Sequence, residues 1–272
     1  MFKIIRESFK ITNGNIITAT PLIFFSLISS LYLLFTAMGN NINALFSLIL
    51  FFLMFGAFLA GWFYMLVIVV KDSDIEDRKL IGEFPAGVGE YFLNVIGLLL
   101  QVTIFSIAII IIAYIIGKNF IGTIGISADQ IAKSLTNTDT LKEFVNKLSP
   151  EQLVKINAWN ILLFCTMLFN YFILIFYPAA LFFKEKNPFK AFFISLKDTF
   201  GHKFFSNVLL FLFIFILYMT ISGLTIAFGN NIFVHFVLTL LNFYFVTFAG
   251  ILVFNYYYSN FVKIGSNIDT TV

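Results

Sequence analysis

The chain predicts an all-α fold: a polytopic membrane bundle of six transmembrane helices in three hairpins, with amphipathic helices on the cytoplasmic face. Three observations carry this expectation. Hydrophobic residues make up 60% of the 272 and charged residues 11%, at a mean hydropathy of +0.96, far from the about 45–50% apolar and about 25% charged of soluble domains. The apolar residues gather in six runs, 20–38, 44–70, 91–117, 158–183, 204–228 and 232–258, close to the about 20 residues a helix needs to cross a bilayer. No Asp, Glu, Lys or Arg falls inside them. Residues 1–272 read as a single membrane domain.

The amino terminus carries Phe2, Ile5 and Phe9 on one side of a helix over about 2–14, with Lys3, Arg6 and Lys10 beside them. That pattern suits a helix lying in the membrane interface. A disordered tail and a signal peptide are the alternatives, but residues 20–38 exceed an ordinary signal core and Thr36-Ala37-Met38 is a poor cleavage site. Gly39, Asn40 and Asn41 make the first turn. The second run holds Gly56, Ala57, Ala60 and Gly61, two overlapping small-xxx-small pairs that let another helix backbone come close.

The connection Lys71 to Lys79 brings Asp72, Asp74, Glu76 and Asp77 together. A calcium loop requires Gly at its sixth position, where Asp77 stands, although Glu83 occupies the twelfth. Interleaved basic residues favour a solvated, self-paired loop. Pro85, Gly87 and Gly89 are expected to break the chain before the third run.

An outer loop, 118–156, separates the third and fourth runs. It contains three helix starts, Ser127 with Gln130, Thr140 with Glu143, and Ser149-Pro150 with Gln152, each pairing a capping hydroxyl with a side chain three residues on. Leu141, Phe144, Val145 and Leu148 give its middle helix an apolar face for the bundle, lipid or a protein partner. The fourth run should kink at Tyr177-Pro178.

A second surface helix is expected over 188–200, where Phe189, Phe192, Phe193, Leu196 and Phe200 recur at helical spacing. The last two runs are joined only by Gly229, Asn230 and Asn231, so they form a hairpin. Ala249 and Gly250 supply its close-packing pair. The amino-terminal third repeats this unit at a shift of about 190 positions. Ser8, Lys10, Thr12 and Gly14 match Ser195, Lys197, Thr199 and Gly201; Gly39-Asn40-Asn41 matches Gly229-Asn230-Asn231; Ala60-Gly61 matches Ala249-Gly250.

Lys and Arg number twelve on one set of loops (Lys3, Arg6, Lys10, Lys71, Arg78, Lys79, Lys184, Lys186, Lys190, Lys197, Lys203, Lys263) and five on the other (Lys118, Lys133, Lys142, Lys147, Lys155). The positive-inside tendency puts both termini in the cytoplasm. The basic soluble surface needed for nucleic acid binding is missing.

Enzyme chemistry is not expected, because the spans hold no aspartate pair, Ser-His pair or zinc-binding His-rich helix of an intramembrane protease, and no G-x-S-x-G elbow occurs. With one cysteine, Cys165, and two separated histidines, His202 and His235, neither a metal site nor any other cofactor is expected. What remains is uncharged polarity: Asn94 and Gln101 on the third span, Asn160, Thr166 and Asn170 on the fourth, and His235, Thr239 and Asn242 on the sixth. These residues either line a path or bond helix to helix, and the third-span and sixth-span faces are expected to point inward.

A surface helix ahead of a six-span body, with S-x-K-x-T-x-G before the first and fifth spans, resembles bacterial polytopic families similar to the membrane domain attached to some glycerophosphodiester phosphodiesterases. The resemblance is one of layout, with 118–156 departing as an insertion. It implies an accessory or lipid-associated role, and it carries over no catalytic residue. A non-enzymatic accessory, interaction or lipid-associated envelope component is therefore expected, with the lipid bilayer and a protein bound through 118–156 as partners. A permease or channel for a small neutral or lipidic substrate is the alternative.

Overall fold

A computed structural model describes residues 1–37, 44–125, 144, 146–228 and 231–263. Gly39-Asn40-Asn41, Gly229-Asn230, the helix starts at Ser127 and Thr140, and Leu141 and Val145 lie outside the described residues. Every regular element among the described residues is helical. In chain order they are α1 (Phe2–Gly14), a 3-10 turn (Ile16–Ala19), α2 (Thr20–Ala37), α3 (Ala44–Lys71), α4 (Asp77–Phe120), α5 (Pro150–Leu174), α6 (Tyr177–Phe183), α7 (Pro188–Phe200), α8 (Phe204–Phe228) and α9 (Ile232–Tyr257), closed by a π-turn (Tyr258–Val262). Six described segments are long and apolar enough to cross a membrane.

Local chemistry accounts for the helix starts. Ser149 and Gln152 form the expected reciprocal cap, Ser149 N donating to Gln152 Oε1 at 2.9 Å and Gln152 N to Ser149 Oγ at 3.2 Å. Asn187 accepts from Phe189 N and Lys190 N, with Pro188 opening α7. Asn231 accepts from Phe233 N and Val234 N at the start of α9. The expected kink is an interruption at Ile175 and Phe176, so that Pro178 falls in the first turn of α6, where its missing amide costs no helical bond.

The expected break at Pro85, Gly87 and Gly89 does not occur. Instead α4 runs unbroken for 44 residues, about 66 Å at 1.5 Å per residue, roughly twice the hydrocarbon thickness. Packing outweighs propensity here. A Cβ on Gly87 would stand 3.0 Å from the Ala60 carbonyl oxygen, and one on Gly61 would stand 2.8 Å from the Phe84 carbonyl oxygen. Both glycines are where α3 and α4 touch backbone to backbone.

The contacts gather in two compact units, residues 1–101 with 173–272, and residues 102–172. In the first unit α3 is the central helix, 56% of its apolar window being buried against 6% for α8. Its core joins Met65, Leu66 and Val69 of α3 to Tyr177 and Leu181 of α6 and to Ile251, Leu252 and Tyr257 of α9, all fully buried. Rings interleave there: Phe63 stacks on Phe254 at 5.6 Å, Tyr91 on Phe182 at 4.3 Å and Phe176 on Tyr256 at 5.7 Å. In the second unit Trp159 of α5 donates Nε1–H to the Gly122 carbonyl at 3.1 Å, and Gly117 leaves room for its ring. Gly122, at φ +80, sits just past the end of α4, a backbone conformation glycine adopts without steric cost.

Candidate functional site

Polar side chains of the first unit converge in two clusters. In one, Lys184 from just after α6 pairs with Asp198 of α7 at 2.8 Å, and the Tyr257 hydroxyl of α9 donates to the same carboxylate oxygen at 2.6 Å. Lys184 also stands 5.2 Å from the Tyr257 ring centroid, within cation–π range. Beside them Asn207 donates to the Asp198 and Thr199 carbonyls and accepts from the Tyr256 hydroxyl. Asn255 donates to Ser8 Oγ at 3.0 Å and so brings α1 to α9. Burial pushes the nearby Lys203 ammonium below its usual range, and Lys203 donates to Asn260 Oδ1 at 2.6 Å.

The second cluster holds two of the expected residues. Asn94 donates to the Lys186 carbonyl at 2.7 Å. The Tyr177 hydroxyl lies 2.8 Å from Gln101 Oε1 and 3.1 Å from the Pro188 carbonyl. One hydroxyl proton cannot serve both acceptors; turning the Gln101 amide so that it donates would satisfy all three groups. Lys186 pairs with Glu90, whose carboxylate holds the ammonium above its usual range.

The other sequence-nominated residues divide. Asn170 donates to Ser106 Oγ at 2.9 Å and joins α5 to α4 within the second unit. Thr166 and Thr239 bond back to carbonyls of their own helices, at Leu162 and His235. Asn160 is exposed. The inward orientation expected for the sixth-span face is corrected: His235 and Asn242 are exposed, and Thr239 between them is half-buried. Leu238 is buried beside them, and the continuous buried stripe of α9 follows at Phe245, Thr247, Phe248 and Ile251.

The small residues of α3 and α9 lie as follows. Ala60 is fully buried, Ala57 and Ala249 are half-buried, and a Cβ on Gly250 would meet Leu66 at 2.8 Å and Trp62 at 3.2 Å. The Gly56 backbone faces Ile96 and Phe92 of α4.

Sequence periodicity missed Ser8, Thr12, Ser195 and Thr199. Apolar periodicity laid the phenylalanines of α1 and α7 on the membrane interface, and Phe2, Phe9, Phe189 and Phe193 are exposed; it left unmarked these hydroxyl residues, which are the buried ones. The signal was present in S-x-K-x-T-x-G, whose Ser and Thr stand four apart on one helix face.

Apart from these clusters the first unit has open-sided apolar cavities. One of about 450 Å³ lies among α2, α3 and α4, lined by residues including Phe24, Phe25, Met54, Phe58 and Phe84. Another of about 510 Å³ lies among α1, α8 and α9, lined by residues including Phe9, Leu217, Ile221, Phe245 and Arg6.

Six membrane-length apolar helices define the class: a polytopic α-helical membrane protein. No protein-family model matches the chain, and no curated protein or solved structure matches it.

Proposed function

We propose that the chain is a non-enzymatic, lipid-associated accessory component of a bacterial inner membrane, with both termini in the cytoplasm and 118–156 as a surface for a protein partner. One observation supports this above the permease reading. Asn94 and Gln101 bond to the Lys186 carbonyl and the Tyr177 hydroxyl, and the Asn170 amide donates to Ser106 while its Oδ1 is buried without a partner among the described residues; His235 and Asn242 are exposed. A transport path needs polar groups free to exchange partners with a solute. The cavities of the first unit are instead walled mainly by apolar side chains, as acyl chains require. The layout resemblance to membrane domains joined to glycerophosphodiester phosphodiesterases and the twelve-to-five distribution of Lys and Arg point the same way.

The test uses the full chain, purified in mild detergent and reconstituted into vesicles loaded with a neutral solute such as glycerol. The expected result is tightly held phospholipid in the purified protein and no glycerol release above protein-free vesicles. Release that Asn94→Leu or Asn170→Leu abolishes would overturn the reading in favour of a permease.

A further inference from the structure

We propose that the groove among α1, α8 and α9 is a binding site for one anionic phospholipid, an acyl chain lying along its apolar walls and the headgroup phosphate held by Arg6. This deepens, and rests on, the lipid-associated reading above. The cavity measures about 510 Å³, within the range of small-molecule sites. Phe9 of α1 closes one side, set edge-on to Tyr244 and Phe248 of α9 at 6.4 and 6.2 Å. Leu217 and Ile221 of α8 and Leu241 and Phe245 of α9 supply the remaining wall. Because α8 and α9 are membrane-length helices, the open side faces hydrocarbon, where acyl chains are the molecules at hand.

Charge selects the headgroup. Arg6 is the charged residue that lines this groove, and it has no carboxylate partner among the described residues. The neighbouring acid, Glu7, stands 3.9 Å from Lys3 in an exposed pair. A planar guanidinium matches phosphate oxygens in pairs. Lys10 lies one helical turn further along α1 and adds a second positive charge. An apolar groove lined also by a cation with no carboxylate partner among the described residues complements a lipid that joins an acyl chain to a negative charge, and net positive charge favours an anionic headgroup over a zwitterionic one.

Native mass spectrometry of the full chain tests this, after exchange into detergent holding equimolar phosphatidylglycerol and phosphatidylcholine. Wild type is expected to retain phosphatidylglycerol about fivefold over phosphatidylcholine, equivalent to about 1 kcal/mol. Arg6→Gln should bring the ratio to about one, and Arg6→Lys should keep part of the preference. Ile221→Trp, which fills the groove, should lower retention of both lipids; gel filtration checks that each variant remains monodisperse. An unchanged ratio in Arg6→Gln, or full retention in Ile221→Trp, overturns the site while leaving the lipid-associated role intact. A wild type that sheds all lipid overturns both, and glycerol flux overturns only the functional reading.

Discussion

The Tyr257 hydroxyl reaches Asp198 across 2.6 Å, joining the end of α9 to α7 through a carboxylate that also holds Lys184. Both members of the ion pair are mostly shielded, with side chains 26% and 14% exposed for Lys184 and Asp198. Removing one partner strands the other, a larger loss than an exposed pair would cause. Asp198→Ala is expected to cost about 2–3 kcal/mol in detergent thermal unfolding. Adding Lys184→Met should recover part of that loss, and strict additivity in the double-mutant cycle would show that the two residues are not coupled.

Gly61 faces the Phe84 carbonyl so closely that an added Cβ would sit 2.8 Å away. Gly61→Ala should therefore separate α3 from α4 and cost about 1–3 kcal/mol. Gly223 of α8 has nothing within 4 Å of its would-be Cβ. Gly223→Ala should leave stability unchanged or raise it by up to about 1 kcal/mol through helix propensity. Equal melting shifts for the two variants would contradict the backbone-to-backbone crossing.

Polar residues on the spans should respond according to their bonds. Asn94→Leu with Gln101→Leu removes bonds to the Lys186 carbonyl and the Tyr177 hydroxyl, and should cost about 1–2 kcal/mol. His235→Leu with Asn242→Leu, on an exposed face, should change stability by less than about 0.5 kcal/mol. Thermal unfolding of both pairs in the same detergent decides the matter, and the reverse ranking would place His235 and Asn242 at an interface.

Topology is open to chemical labelling. In a Cys165→Ala background, single cysteines at Asn40, Thr138 and Asn230 should react with an impermeant thiol reagent added outside intact cells, while one at Ser73 should react only after the membrane is opened. Labelling in the opposite pattern would reverse the orientation drawn from the Lys and Arg distribution.

The sequence by itself determined the helical class, the six membrane-length segments and most of their ends. Those features depend on local composition: apolar run length, the Ser149-Gln152 cap, the Asn187-Pro188 start and the proline after Tyr177 each act within a few residues. Gly61 and Gly250, each beside an alanine, are at close approaches, whereas Gly223 in the equally apolar α8 is not, so a glycine by itself did not mark a crossing. Which face of each helix turns inward was decided only by the tertiary structure. In a bilayer, lipid covers apolar side chains as well as protein does, so apolar periodicity does not mark the core as it does in water. That is why Phe2 and Phe189 face out while Ser8 and Thr199 are buried, and why His235 lies outside the packed body although its spacing with Thr239 and Asn242 placed all three on one stripe. Propensity likewise failed at Pro85, where α4 runs on through Gly87 and Gly89 and packs on the preceding helix α3 at Phe84 and Gly87.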